Sequence, residues 1–423
     1  MCEFAISCND PWRQIGPHNA AMKDSNALDR SLVGWLSLAQ LISWGSIFYT
    51  FALVMEPVEL ELGLSRAQSS WAFSLALLVE GLTAYQVGRW IDSGHERAVM
   101  TAGSLLAALC LALHGRVTGV VGFYAVWAGL GAAMAATLYS PVFAVVTRRF
   151  PADFRRAIIT ITFLGGLAST VFIPLTAWLI ALWGWRDALL ALAGLHLLVC
   201  APLHAVKLRG APAAPSRASG GGRATPIGVS SLVRTRPFLM IGVFLVLMMA
   251  VTVALPAHMI SLLRENGLSQ YWVIAVPSSI GVIQVFGRLL LYFFEHRFDL
   301  HLANRLIPGL IPLGLVVLLA APLAGHWQTW AVMLFVILYG MGNGMLTIVK
   351  GTAIAQYVDR DHVATLNGAL GVPLALARAA APIALGLLWS PQSGYGPGLW
   401  LLLILSIVGV SALIAAQKHA ITN

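Results

Sequence analysis

Two ionisable residues stand inside otherwise apolar stretches: Glu80 in LALLVEGLTAY and Arg378 in PLALARAAAP. A charge at the centre of a membrane helix costs about 2.5–3.5 kcal/mol on insertion scales, so such a residue normally has a partner or a task. Arginine presents a planar fork that donates two parallel hydrogen bonds to a carboxylate, and a carboxyl group in an apolar medium can carry a proton. Three arrangements are open: a lock that neutralises both residues, a gate that breaks when Arg378 takes an anionic cargo, or two separate groups each facing water. Other chemistry finds less support. Cys2, Cys8, Cys110 and Cys200 form no Cys-x-x-Cys pair, and the 11 histidines show no metal-ligand spacing. Glycine-rich YGMGNGM is not followed by the Gly-Lys-Ser/Thr of a phosphate-binding loop. No nucleophile–base motif stands out, so neither an enzyme nor a bound metal or cofactor is expected.

The elements that must position Glu80 and Arg378 are membrane spans. The chain has 423 residues, 58% hydrophobic and 10% charged, with a mean hydropathy of +0.81; a soluble domain carries roughly 25% charged residues. Hydropathy predicts an all-α membrane protein with twelve spans near 31–54, 69–91, 98–114, 119–146, 158–181, 187–206, 237–262, 271–294, 306–323, 330–350, 364–388 and 398–417. A Gly-, Ala-, Ser-, Pro- and Arg-rich connection separates six from six. The expected organisation is a tail (1–30), a six-helix bundle (31–206), a flexible linker (207–236), a second bundle (237–417) and a short tail (418–423). The first 30 residues lack the apolar run of a signal peptide and read as cytosolic.

Charge placement orients the chain. Of 26 Lys and Arg residues, all but Arg66, Arg116, Arg186, Arg264 and the intramembrane Arg378 fall on the side of the N-terminal tail. The positive-inside rule then predicts both termini in the cytosol, in a bacterial inner membrane or a plasma membrane. Bases scattered between apolar segments are no nucleic-acid patch. In this frame Glu80 lies roughly 16 Å and Arg378 roughly 15 Å from the outer ends of spans two and eleven, at 1.5 Å per residue. Lys350 and Arg288 read as residues snorkelling to the inner interface, and His258, near an outer span end, as solvated.

The two halves repeat each other. Gly63-Leu64-Ser65, Trp71, Gly88-Arg89 and Glu96-Arg97 are echoed by Gly267-Leu268-Ser269, Trp272, Gly287-Arg288 and His296-Arg297. FPADFRRA, followed by Pro174, is echoed by YVDRDHVA, followed by Pro382. Such duplication is the usual ground plan of transporters whose halves rock about a central site.

The turn Gly88-Arg-Trp-Ile-Asp92-Ser-Gly-His-Glu96-Arg97 resembles the Gly-x-x-x-Asp-x-x-Gly-Arg-Lys/Arg signature of the major facilitator superfamily. Gly88, Asp92 and Arg97 match it, while the second glycine comes one place early and His95-Glu96 replace Gly-Arg. The stretch WGSIFYTFALVMEPVELELGLSRAQSSWAFSLALLVEGL resembles the monocarboxylate and oxalate–formate branch, although span eight (PSSIGVIQVFGR) lacks that branch's acid–base pair and carries only Arg288. The resemblance implies two pseudo-symmetric six-helix bundles, a midplane cavity, alternating access, a functional monomer, and a cytosolic gate at Gly88, Asp92 and Arg97. It also implies that spans two and eleven face each other, bringing Glu80 and Arg378 within reach. Gln40, Tyr49, Tyr139, Tyr339 and Asn343 lie on spans that line the family's cavity; each could instead bond only to a neighbouring helix. The expected function is secondary active transport of a small organic anion such as a monocarboxylate. Arg378 would be the anion clamp and Glu80 the proton-linked or gating carboxylate. The partners are then the cargo, protons and lipid, with symport and exchange both open. The alternative is an efflux carrier for amphipathic or cationic compounds with Glu80 as counter-ion. A non-transporting sensor or an intramembrane enzyme ranks behind both.

Overall fold

The computed structural model describes residues 29–151, 153–210, 232–294, 300–359 and 363–422. The N-terminal tail before Asp29, the central part of the linker (211–231), Arg297 and Arg360 lie outside the described residues. In lipid, a backbone must satisfy its polar groups internally, and helices do so. The described residues are accordingly helical, with one isolated bridge between Ser390 and Gly394.

In chain order the helices are α1 (Arg30–Leu62), α2 (Arg66–Trp90), α3 (Glu96–His114), α4 (Val120–Arg149), α5 (154–183) and α6 (185–207), then α7 (Arg236–Glu265), α8 (Gln270–Phe294), α9 (Leu300–Ala320), α10 (Gln328–Tyr357), α11 (Val363–Leu388) and α12 (Gly396–Thr422). Among the described residues, 9 continuous helical runs are long and apolar enough to cross a membrane. Three of them contain a residue with positive φ, at Gly94, Gly184 and Gly325, where the helix breaks.

The repeated Gly-Leu-Ser motif becomes the same turn twice. Gly63 (φ 65°) and Gly267 (φ 76°) end α1 and α7 in the left-handed region, which a Cβ would strain. Ser65 then caps α2: its Oγ accepts from the Gln68 N–H at 3.2 Å, and Gln68 Oε1 accepts from the Ser65 N–H at 2.9 Å. The symmetry extends to side chains. Glu61 and Glu265 each stand two places before the turn glycine, and each accepts from an indole, Trp185 Nε1 at 2.9 Å and Trp389 Nε1 at 2.7 Å.

Apolar packing follows the division of the chain. Phe51, Phe73, Phe123 and Trp127 centre the core of the N-terminal half; Phe244, Phe335 and Tyr339 centre that of the C-terminal half. Leu82, Leu109, Trp178, Leu313 and Ile404 point outward and are exposed, as side chains bathed in lipid would be. The halves meet along two seams of small residues, where backbones approach closely. On α2 and α11, Gly81 sits against Ala375, and Gly386 sits against Ser70 and the Arg66 carbonyl. On α5 and α8, Gly281 sits against Gly166, Ser169 and Thr170, and Thr170 Oγ1 donates to the Ser278 carbonyl at 2.6 Å.

Candidate functional site

The α2–α11 seam brings Glu80 and Arg378 together across the halves. Arg378 Nη2 donates to Glu80 Oε2 at 2.7 Å and Nη1 to Oε1 at 3.3 Å, a fork-on-fork pair of mostly buried side chains. Each group neutralises the other, which offsets most of the cost of holding either in an apolar layer. Their matched depths in the sequence become a direct contact, so the arrangement with two separate groups does not describe this structure.

The pair borders a cavity of about 300 Å³ between the halves. Tyr49, Tyr139 and Asn343 line it with Glu80 and Arg378, whereas Gln40 and Tyr339 do not. Gln40 is fully buried and donates from Nε2 to the Thr137 carbonyl at 2.5 Å, tying α1 to α4. Tyr339 is buried in the C-terminal core, its ring stacked on Phe335. Gln40 therefore bonds to a neighbouring helix, the alternative left open by the sequence, whereas Tyr339 stacks on a residue of its own helix inside the core.

Arg288 and Lys350 require a correction, because both line the cavity and neither snorkels to an interface. Arg288 donates to two backbone carbonyls, from Nε to Gly344 at 3.1 Å and from Nη1 to Thr162 at 2.9 Å. Lys350 Nζ has the Met249 sulfur at 3.8 Å. Arg378 is neutralised by Glu80, and among the described residues no other Asp or Glu lines the cavity, so Arg288 and Lys350 give it an excess of positive charge.

One wall of the cavity is aromatic, and a backbone irregularity builds it. Residues Trp44–Tyr49 of α1 form a π-helical turn. Its i→i+5 bonding puts more residues in each turn and brings positions i, i+4 and i+5 to one face, where an α-helix would carry the last away. Trp44, Phe48 and Tyr49 thus all face the cavity. Their rings form a continuous contact chain with Tyr139: Tyr139–Trp44 at 5.0 Å, Trp44–Phe48 at 5.1 Å and Phe48–Tyr49 at 5.4 Å between centroids. Gly45 is needed on the reverse face, where the Phe172 ring occupies the space a Cβ would take. No residue pattern announces the π turn, and Trp44 and Phe48 are site residues that sequence reasoning missed.

At the Arg66 end of the bundle a polar network joins the halves above the cavity. Arg66 donates from Nε to Glu59 Oε2 at 3.0 Å and from Nη1 to the Tyr395 hydroxyl at 2.7 Å. Its guanidinium also stacks over Trp389 at 4.8 Å, and Glu265 Oε1 lies 4.0 Å away. Glu56 pairs with Arg264 across the same divide, and the Ile383 N–H donates to Ser74 Oγ at 3.1 Å. Burial holds the Tyr395 hydroxyl above the usual phenol range, so it stays protonated. His258 is fully buried here, which corrects its reading as solvated. Its Nε2 lies 2.9 Å from the Pro382 carbonyl, an obligate acceptor, so Nε2 carries the proton and Nδ1 accepts from Tyr395 at 2.9 Å. The sequence held one signal of this network, the acid and base residues flanking both copies of Gly-Leu-Ser.

At the Arg97 end, the contacts of the motif turn among the described residues lie within the N-terminal half. Asp92 is exposed, and Arg97 Nε donates to the Ala205 carbonyl of α6 at 2.7 Å, within the N-terminal half. Glu96, the departure from the expected pattern, is wholly buried and accepts from Arg149 Nε at 2.5 Å and Arg148 Nη1 at 3.4 Å. It anchors the end of α4 to the start of α3.

A helical bundle whose halves meet at a charged internal cavity defines a membrane carrier. The sequence pattern of the Major Facilitator Superfamily matches residues 36–382, and the chain belongs to that family. It is 28% identical over 350 residues to monocarboxylate transporter 13 of Bos taurus and 27% identical over 352 residues to that of Rattus norvegicus. Each alignment covers 79% of this chain and 77% of the relative. Among solved structures, the fold is similar to the nucleoside transporter NupG (TM-score 0.70, 16% identity, covering 92% of this chain and 98% of that one). It is also similar to a bacterial homolog of the human lysosomal transporter Spinster in an inward-facing, unoccupied conformation (TM-score 0.70, 15% identity, covering 93% and 97%). At such identities these structures share the fold alone.

Proposed function

We propose that this carrier moves a small organic anion, a monocarboxylate in the first instance, by alternating access. The observation that carries the reading is the excess positive charge of the cavity, with Arg288 and Lys350 uncompensated beside the Glu80–Arg378 pair. An anion entering this space supplies the missing counter-charge; a cationic cargo would meet repulsion from three bases and find its one carboxylate already held by an arginine. The name of the relatives, monocarboxylate transporter 13, points to the same cargo class.

In this reading residues 31–206 and 237–417 are two six-helix bundles joined by the cytosolic linker 207–236. Each of the three broken helical runs crosses the membrane twice, giving twelve spans in all. Both termini are cytosolic, the Arg66 end faces outward, and the structure represents a carrier closed on the outside. Glu80 and Arg378 work as the gate: when Glu80 takes a proton or the cargo carboxylate competes for the fork, Arg378 transfers its two hydrogen bonds to the cargo. The α2–α11 seam then loses a cross-half tie at the moment of loading, which couples cargo binding to rocking of the bundles.

The test is uptake of labelled carboxylates into proteoliposomes, with and without an inward proton gradient. Gradient-stimulated uptake of an acid by the wild type, abolished in Arg378→Gln, supports the gate. Glu80→Gln is expected to bind the acid yet lose gradient stimulation. Uptake of organic cations in place of acids would overturn the assignment.

A further inference from the structure

The cavity is divided by chemistry as well as by helix. Its bases, Arg288, Lys350 and Arg378, all come from the C-terminal half, from α8, α10 and α11. Its aromatic wall, Trp44, Phe48, Tyr49 and Tyr139, comes wholly from the N-terminal half, from α1 and α4. A short hydroxy acid would satisfy the bases and leave the ring surfaces uncovered. Trp44 of this wall has a buried Nε1–H with no acceptor among the described residues. A buried N–H without an acceptor is costly, and such groups normally find a partner.

From this juxtaposition we propose that the preferred cargo is an aromatic carboxylate, its acid group on the bases of the C-terminal half and its ring against the four-ring wall of the N-terminal half. With a turn of the Trp44 side chain, a polar substituent on the ring would accept from the indole N–H. The inference rests on the anion-carrier reading and narrows it. Ring-on-ring contact favours offset and edge-to-face packing, both offered by a wall whose rings are themselves tilted or perpendicular to one another. A cargo that bridges the halves also links them: its two ends bind different bundles, so it is held fully only when both close around it. A volume of about 300 Å³ accommodates one such ring with its side arm.

The experiment is calorimetric binding to the purified full chain in lipid nanodiscs, using phenylacetate, 4-hydroxyphenylacetate, acetate, lactate and phenethylamine as probes. Phenylacetate is expected to bind about 10- to 100-fold tighter than acetate, the gain of burying one ring, and the 4-hydroxy acid tighter again. Trp44→Leu is expected to cancel the gain from the hydroxyl, and Phe48→Leu to narrow the ring preference, both with lactate binding altered less. Acids bound without preference for a ring overturn this inference and leave the anion carrier standing. No acid bound, or phenethylamine preferred, overturns both. Should Trp44→Leu fail to fold, the wild-type ranking of the five probes decides the matter alone.

Discussion

Replacing Tyr395 by Phe removes one hydroxyl at the point where the Arg66 network joins the halves. Two hydrogen bonds disappear, the Arg66 Nη1 donation at 2.7 Å and the contact with His258 Nδ1 at 2.9 Å. The first runs between halves and involves a charged donor, in a site where Arg66 is only 9% exposed. A hydrogen bond to a charged group contributes about 1.5–3 kcal/mol. When this end opens, water replaces the lost partners, so the deletion penalises the closed state far more than the open one. A differential of about 2 kcal/mol shifts the closed-to-open ratio roughly 30-fold, at 1.4 kcal/mol per factor of ten. A carrier closed 100:1 would become closed only about 3:1. The assay is pulsed electron resonance between spin labels at Leu60 and Leu323, which are 87% and 88% exposed and lie at this end in opposite halves. In a cysteine-free background the wild type is expected to give one short distance, and Tyr395→Phe a second, longer population holding about a quarter of the molecules. An unchanged distance distribution in a folded Tyr395→Phe protein would show that the network is decoration and not a lock.

The same seam offers an independent perturbation: Gly386→Ala places a Cβ 2.5 Å from Ser70 Oγ and 2.9 Å from the Arg66 carbonyl, and backbone cannot yield. The long-distance population should grow here too, and its absence would mean that α2 and α11 part without cost. Glu96→Gln leaves Arg148 and Arg149 without their buried carboxylate; loss of one partner of such a group costs about 3 kcal/mol, read as a clear fall in Tm by intrinsic fluorescence, and an unchanged Tm would refute the anchoring role. Gly45→Ala forces the π turn against Phe172, costing about 1–3 kcal/mol; combined with Phe172→Ala, the loss of Tm is expected to be smaller than the sum of the two single losses, and strict additivity would place the strain elsewhere.

Much of this protein was legible in one dimension. Apolar runs of membrane length, separated by bases on one side, state the class because water and hydrocarbon impose a periodicity that needs no knowledge of neighbours. The repeated Gly-Leu-Ser turns and the depths of Glu80 and Arg378 are likewise properties of local sequence and helical rise. The Glu80–Arg378 contact could be anticipated because an uncompensated charge in lipid is expensive enough to demand an explanation.

What the chain alone did not display are facts about which faces meet. Arg288 and Lys350 sit near helix ends, where a long base reaches an interface as readily as a cavity, and only the packing of α8 against α5 of the other half, and of α10 against α8, directs both into the same space. Gln40 and Tyr339 have the chemistry of ligand groups, yet Gln40 bonds to α4 of its own half and Tyr339 is buried in the core of its own. Glu96 looked like a lapse from a motif until the end of α4 delivered two arginines to it. The aromatic wall depends on a π turn, held by a ring pressing on Gly45 from another helix. Composition and period select the layer in which each helix lives; the rotation of a helix about its own axis is decided by its neighbours, and that rotation chooses the site.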